Sequence, residues 1–148
     1  MAKKPLPSDD HLYSFSSEQK SLLIAQIKEE LQKLPQIHFA FLHGSFLDKH
    51  PCHDLDIAIF FDDSLTEESI LDLTLDLTVT LTCKLHLPVD VRPLNKANTG
   101  FRYHVTKGVL LLSRNEEEVY DFIEKTWREY LDFQPLAKQV LKDLIDKY

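Results

Sequence analysis

At 148 residues, 43% hydrophobic and 28% charged, the chain is sized for one globular domain with a single core. Its 24 acidic against 17 basic residues give a net charge of −7, which repels a phosphate backbone and argues against direct nucleic-acid binding. That charge suits a basic protein partner better. Two cysteines, Cys52 and Cys83, are too few for a disulfide framework and fit a reducing compartment. No apolar run follows the basic start or approaches the length of a membrane helix, so a soluble cytoplasmic protein without a signal peptide is expected.

Residues 1–15 are polar, carry prolines and lack a period, and read as a flexible tail. Ser16 and Gln19 form a capping-box pair, followed by Leu23, Ile27, Leu31 and Leu34 at helical spacing, so a first helix runs to Pro35. Ile37–His43 is a short apolar and aromatic strand ending at Gly44-Ser45, and 54–61 is a second strand. Over 70–85 two patterns compete. Leu71 to Leu81 alternates as a strand does, whereas Ile70, Leu73, Leu77, Leu81 and Leu85 make a helical stripe. The length of the run and a Ser64/Glu67 capping pair favour the helix.

Residues 88–91 form a third strand and 97–107 a short helix capped by Gly108. A fourth strand covers 109–112. A helix from Glu116 to Phe133 opens on three acids, where the helix dipole favours them. Pro135 ends it, and Leu136, Val140, Leu141, Leu144 and Ile145 mark a last amphipathic helix. The organisation is a tail at 1–15, a domain at 16–134 and a C-terminal helix at 135–148. Alternating strands and helices give an α/β (α+β) layer fold.

Three pieces carry chemistry: Gly44-Ser45 after the first strand, Asp54-Leu55-Asp56 opening the second, and Asp90 in the third. Residues two apart on a strand share a face, so Asp54 and Asp56 project together while Leu55, Ile57 and Ile59 point away. Asp90, between Val89 and Val91, also stands on one face. Were those strands neighbours, three carboxylates would meet at one edge and resist ionising without a cation. Mg²⁺ bridging carboxylates to substrate phosphates suits such a cluster. Gly44 permits close backbone approach to a triphosphate, and the Ser45 hydroxyl with the turn amides can bind phosphates. Taken singly, each piece is ordinary: a strand-edge Asp-x-Asp, a turn and a solvated acid. Their order and spacing together carry the functional reading.

Gly44-Ser45, eight intervening residues, Asp54-Leu55-Asp56 and the later Asp90 resemble the polymerase-β-type nucleotidyltransferase signature. The short length, with Leu94-Asn95, 101–108 and 130–136, resembles the minimal nucleotidyltransferase (MNT) branch. The resemblance implies a small mixed sheet flanked by helices. It also implies transfer of AMP from ATP to a tyrosine of a HEPN-domain RNase toxin, with this chain as the antitoxin that assembles with it. Carried over, Gly44 and Ser45 hold the triphosphate, Asp54 and Asp56 bind Mg²⁺, and Asp90 completes the metal site and helps deprotonate the incoming hydroxyl.

The loop departs from the usual pattern. Asp48 stands where MNT members commonly have arginine, there is no second glycine, and Lys49 offers the positive charge one position late. His53, next to Asp54, is expected to line the nucleotide pocket or cap the loop. Arg102, with Arg92 and Lys107, is a candidate phosphate contact. Two alternatives stand beside the enzyme: a binding module that neutralises the toxin by occupying it, and a transferase acting on a small cationic drug of the aminoglycoside type. A zinc site from His50, Cys52 and His53 with Cys83 and His86 is a further, weaker option. Trp127, Tyr130 and Phe133, at helical spacing, read as core or partner contact.

Overall fold

The computed structural model describes residues 12–47 and 51–146. Helix α1 (Ser17–Gln32) starts at Ser16, whose hydroxyl accepts from the Gln19 N–H while Gln19 answers to the Ser16 N–H, a complete capping box. Strand β1 (Ile37–His43) leads through a tight 3₁₀ turn (Ser45–Leu47) towards β2 (Leu55–Phe61). Helix α2 (Glu67–Leu85), strand β3 (Val89–Pro93), helix α3 (Thr99–Thr106), strand β4 (Val109–Ser113) and helix α4 (Glu116–Asp146) follow.

The four strands form one mixed sheet in the order β3-β2-β1-β4. β1 pairs antiparallel with β2 and β4, and β3 lies parallel to β2. A parallel neighbour needs a long crossover, and α2 supplies it. The sheet separates two cores. On one face Leu55, Ile57, Ile59 and Phe61 of β2, with Val89 and Val91 of β3, pack under Ile27 and Leu31 of α1 and Leu77 and Leu81 of α2. On the other face Phe39, Phe41 and Ala58 pack with Val105 of α3 and with Val119 and Phe122 of α4. Ile37 and Ala40, an odd number of residues apart, share the first face because the register shifts between Ile37 and Phe39.

The helical reading of the ambiguous leucine run holds, with a different start. Thr66 caps α2 by accepting from the Ser69 N–H, whereas the Ser64 N–H bonds back to Asp62 in a local turn. Only the inner stripe is buried; Leu71, Leu75 and Val79 face outwards. α3 is capped by Asn98, and its C-cap is Lys107 rather than Gly108. A Cβ on Gly108 would strike the Leu42 carbonyl, so Gly108 serves close approach of the α3–β4 turn to β1.

Two expectations fail. Residues 12–15 are not a loose tail: Tyr13 exchanges backbone hydrogen bonds of 2.8 and 2.9 Å with Cys52, and Phe15 packs edge-on to Phe46. Residues 1–11 of the expected tail lie outside the described residues. Pro135 does not end the last helix, because α4 runs through it as one 31-residue element. Proline there removes one N–H and one intrahelical bond, but at an exposed position water can serve the freed carbonyl. The side chains of Phe133, Leu136, Leu141, Leu144 and Ile145 lie outside the described set. Of the remaining aromatic residues, Tyr130 stacks on Tyr103 at 3.7 Å and Trp127 bonds the Thr106 hydroxyl, so they dock α3 onto α4. Among the described residues no helix is long and apolar enough to cross a membrane.

Gly108→Ala tests the close approach at β1. Overpacking there is expected to destabilise the chain by about 1–3 kcal/mol in denaturant unfolding, leaving α2 and its exposed face untouched.

Candidate active site

The parallel pairing of β2 with β3 sets Asp56 directly beside Asp90, and the antiparallel pairing with β1 sets His43 on its other side. Residues opposite one another on neighbouring strands share a face. His43, Asp56 and Asp90 therefore stand in a row on the α3 side of the sheet, at the end where β1 turns away. Asp54, just before β2, adds the third carboxylate. Oxygen atoms of Asp54, Asp56 and Asp90 all lie within 4.8 Å of one another.

Such crowding has an electrostatic consequence. Burial first, then the charges of Asp54 and Asp90, push the Asp56 carboxyl from its usual 3.8 up to about 6, with Arg92 opposing. Arg92 donates to Asp90 Oδ2 at 2.9 Å and lies over the Phe101 ring. The trio is thus a half-sunk anionic cluster with one guanidinium at its rim. Its donor set, carboxylate oxygens alone, matches a hard divalent cation such as Mg²⁺.

Gly44 forms the wall of this cluster. Its φ of +85° is one that L side chains rarely adopt, and a Cβ there would collide with Asp56 Oδ2. Ser45 follows, exposed at the start of the short turn, which the Leu47 N–H closes by bonding the Gly44 carbonyl at 3.2 Å. His53 is exposed beside Asp54. Lys49 and His50 lie outside the described residues.

Arg102 is placed elsewhere. Its guanidinium donates to the carbonyls of Leu94 and Asn95 and rests on the Phe122 ring. There it lines a cavity of about 510 Å³ with His38, Asp63 and Glu118, at the start of β1 rather than its end. Lys107 lies over the Tyr103 ring, towards α4. Of the three cations, Arg92 is the one that meets the carboxylates.

A zinc site does not assemble among the described residues, where the acidic trio is the group whose ligand atoms gather. Cys52 is buried in the core, Cys83 is exposed on α2, and His86 is the left-handed C-cap of that helix with φ 55°. His43 went unnoticed in the sequence. It is 7% exposed, neither ring nitrogen has a hydrogen-bond partner, and burial with the nearby His104 and Arg92 pushes its pKa down to about 4. The available signal was its place at the end of an aromatic strand, two residues beyond Phe41 on the same face.

The polymerase beta nucleotidyltransferase family model matches residues 25–117, more than half of the chain. The chain belongs to this family. No curated protein sequence matches it significantly. Among solved structures, this nucleotidyltransferase is similar to a chain of the tri-AMPylated Shewanella oneidensis HEPN toxin in complex with MNT antitoxin. The identity is 23% and the TM-score 0.67, covering 85% of this chain and 98% of that one. It is also similar to a chain of the toxin–antitoxin pair MntA–HepT, at 23% identity and TM-score 0.65, covering 84% and 98%. A toxin–antitoxin structure with AMP-PNP gives 22% identity and TM-score 0.61, covering 88% and 99%. At these identities the likeness establishes the fold.

Asp56 yields a pH-dependent prediction. Its folded pKa of about 6 lies above the ordinary 3.8, so folding opposes its ionisation. The penalty is absent below about 3.8, grows between the two values and is complete above 6. Asp56→Asn should therefore raise the thermal midpoint of the chain in EDTA at pH 8, by about 2–4 °C per kcal/mol of repulsion relieved. The gain should shrink as pH falls from 6 towards 4, in paired melts of both proteins across that range.

Proposed function

We propose that this nucleotidyltransferase is the antitoxin of a HEPN-domain toxin and, with Mg²⁺ and ATP, transfers AMP to a tyrosine hydroxyl of that partner. The observation that carries the reading is the carboxylate trio within 4.8 Å, walled by Gly44 at the end of β1. Membership of the nucleotidyltransferase family supports the reaction type. The AMPylated HEPN toxin and the AMP-PNP complex among the structural neighbours support the nucleotide and the acceptor. The reading puts the protein in the cytoplasm, where both ATP and an RNase toxin's substrate are found.

Each residue has a task in this scheme. Asp54 and Asp56 hold the divalent ion, with Asp90 completing the set. Bound there, the ion supplies Lewis-acid stabilisation of the charge that builds on the triphosphate. Gly44, Ser45 and the amides of their turn cradle the outer phosphates, with Lys49 adding charge and His53 lining the approach. A tyrosine hydroxyl has an ordinary pKa near 10 and needs a base at neutral pH. Asp90, steadied by Arg92, accepts that proton as the phenolic oxygen attacks the α-phosphorus. The bond from the α-phosphorus to the bridging oxygen breaks, and pyrophosphate leaves.

A second reading rests on the loop. With Asp48 where arginine is usual and no second glycine, the chain would neutralise the toxin by binding alone. Asp54→Asn/Asp56→Asn separates the two when co-expressed with the partner toxin. The enzyme reading predicts that growth rescue is lost although the complex still co-purifies. Full rescue by the double variant would establish the binding module instead.

A further inference from the structure

His43 is more than nine-tenths buried, and both of its ring nitrogens lack a partner. A neutral imidazole carries one N–H donor and one acceptor nitrogen, and leaving such groups unpaired in a core costs about 1–3 kcal/mol. A phenylalanine of similar shape would avoid that penalty. The strand already places Phe39 and Phe41 on this same face. A partner supplied in the working state of the protein would remove that cost.

The surroundings narrow the choice. From α3, Phe101 and His104 present rings to His43 at 5.6 and 5.7 Å, each nearly perpendicular to it. Phe101 offers no acceptor, and His104 is exposed to solvent. From β3, Arg92 is a donor only, and Asp90, whose charge reaches His43, stands one strand further away with its Oδ2 taken by Arg92. From β2, Asp56 stands directly opposite His43 in the antiparallel register, a spacing at which paired side chains meet.

We infer that His43 is a positioning residue for Asp56: its ring N–H holds the inner oxygen of the Asp56 carboxylate while the outer oxygen binds the divalent ion. This rests on the metal-site reading of the trio and deepens it. The unpartnered His43 ring faces Asp56 across β1 and β2, and a cation on the outer oxygen leaves the inner one to accept from that ring. Ligating carboxylates are commonly held in this way from behind, and loss of such a partner weakens metal binding by about 10–100-fold. Gly44 assists by leaving room for the carboxylate to turn.

The test uses the full chain without nucleotide and Mn²⁺ as the probe, with free Mn²⁺ followed by electron paramagnetic resonance. His43→Phe should weaken Mn²⁺ binding by about 10-fold or more, while the thermal midpoint in EDTA stays level or rises. His43→Gln, which keeps an amide N–H, should recover most of the affinity. In the wild-type chain labelled with ¹⁵N-histidine, Mg²⁺ should bring out a slowly exchanging ring N–H at His43. This readout needs no variant to fold.

Wild-type affinity in His43→Phe, equal losses in both variants, or a His43 ring proton indifferent to saturating Mg²⁺ would each overturn the inference. If Asp56→Asn abolishes Mn²⁺ binding while His43→Phe keeps it, the metal site stands and the role of His43 falls. If the folded wild-type chain binds no Mn²⁺, both readings fall together.

Discussion

The parallel pairing of β2 and β3 holds two like charges side by side, Asp56 against Asp90, with Asp54 close enough to make a third. Left alone, that arrangement opposes folding, and Asp56 responds by holding its proton up to about pH 6. The rest of the structure works to keep it in place. Leu55 and Ile57 on either side of Asp56, and Val89 and Val91 on either side of Asp90, anchor both strands in the core beneath α1 and α2. A strand slip of one residue would turn the acids inward and the apolar residues out. The core therefore fixes the register, and the register fixes the site.

β1 completes the arrangement from the other side. It delivers a glycine at positive φ against the Asp56 carboxylate and, one residue earlier, a buried histidine opposite it. The α3 helix then closes the back of the row with Phe101 and His104. Its own position depends on Arg102, which ties α3 to the Leu94 and Asn95 carbonyls beyond β3, and on the Tyr103–Tyr130 stack with α4. Arg102, a candidate phosphate contact in the sequence, is here bonded to backbone carbonyls as a brace.

Much of this was legible before any coordinates. The capping box at Ser16, the apolar run of β2 and the stripe through Leu77 and Leu81 located their elements because local patterns and tertiary burial agree there. The trio was legible because strand alternation dictates which residues share a face. What escaped depends on long-range contact. Tyr13 and Phe15 sit in a polar, patternless stretch, and it is long-range contact with Cys52, Phe46 and the core that places them. Pro135 reads locally as a stop, but its exposed position on α4 tolerates the missing bond. The destination of Arg102 and the isolation of His43 depend on how α3 packs over the sheet, and spacing along the chain does not encode that.

The central claim is that this carboxylate row moves an adenylyl group onto a protein hydroxyl. Mass spectrometry of a HEPN partner after incubation with the chain, ATP and Mg²⁺ tests it most directly. The account predicts one or more added AMP groups on a tyrosine of the partner, absent when Asp54 and Asp56 are both asparagine. An unmodified partner, recovered in a stable complex with the wild-type chain and ATP, would contradict it.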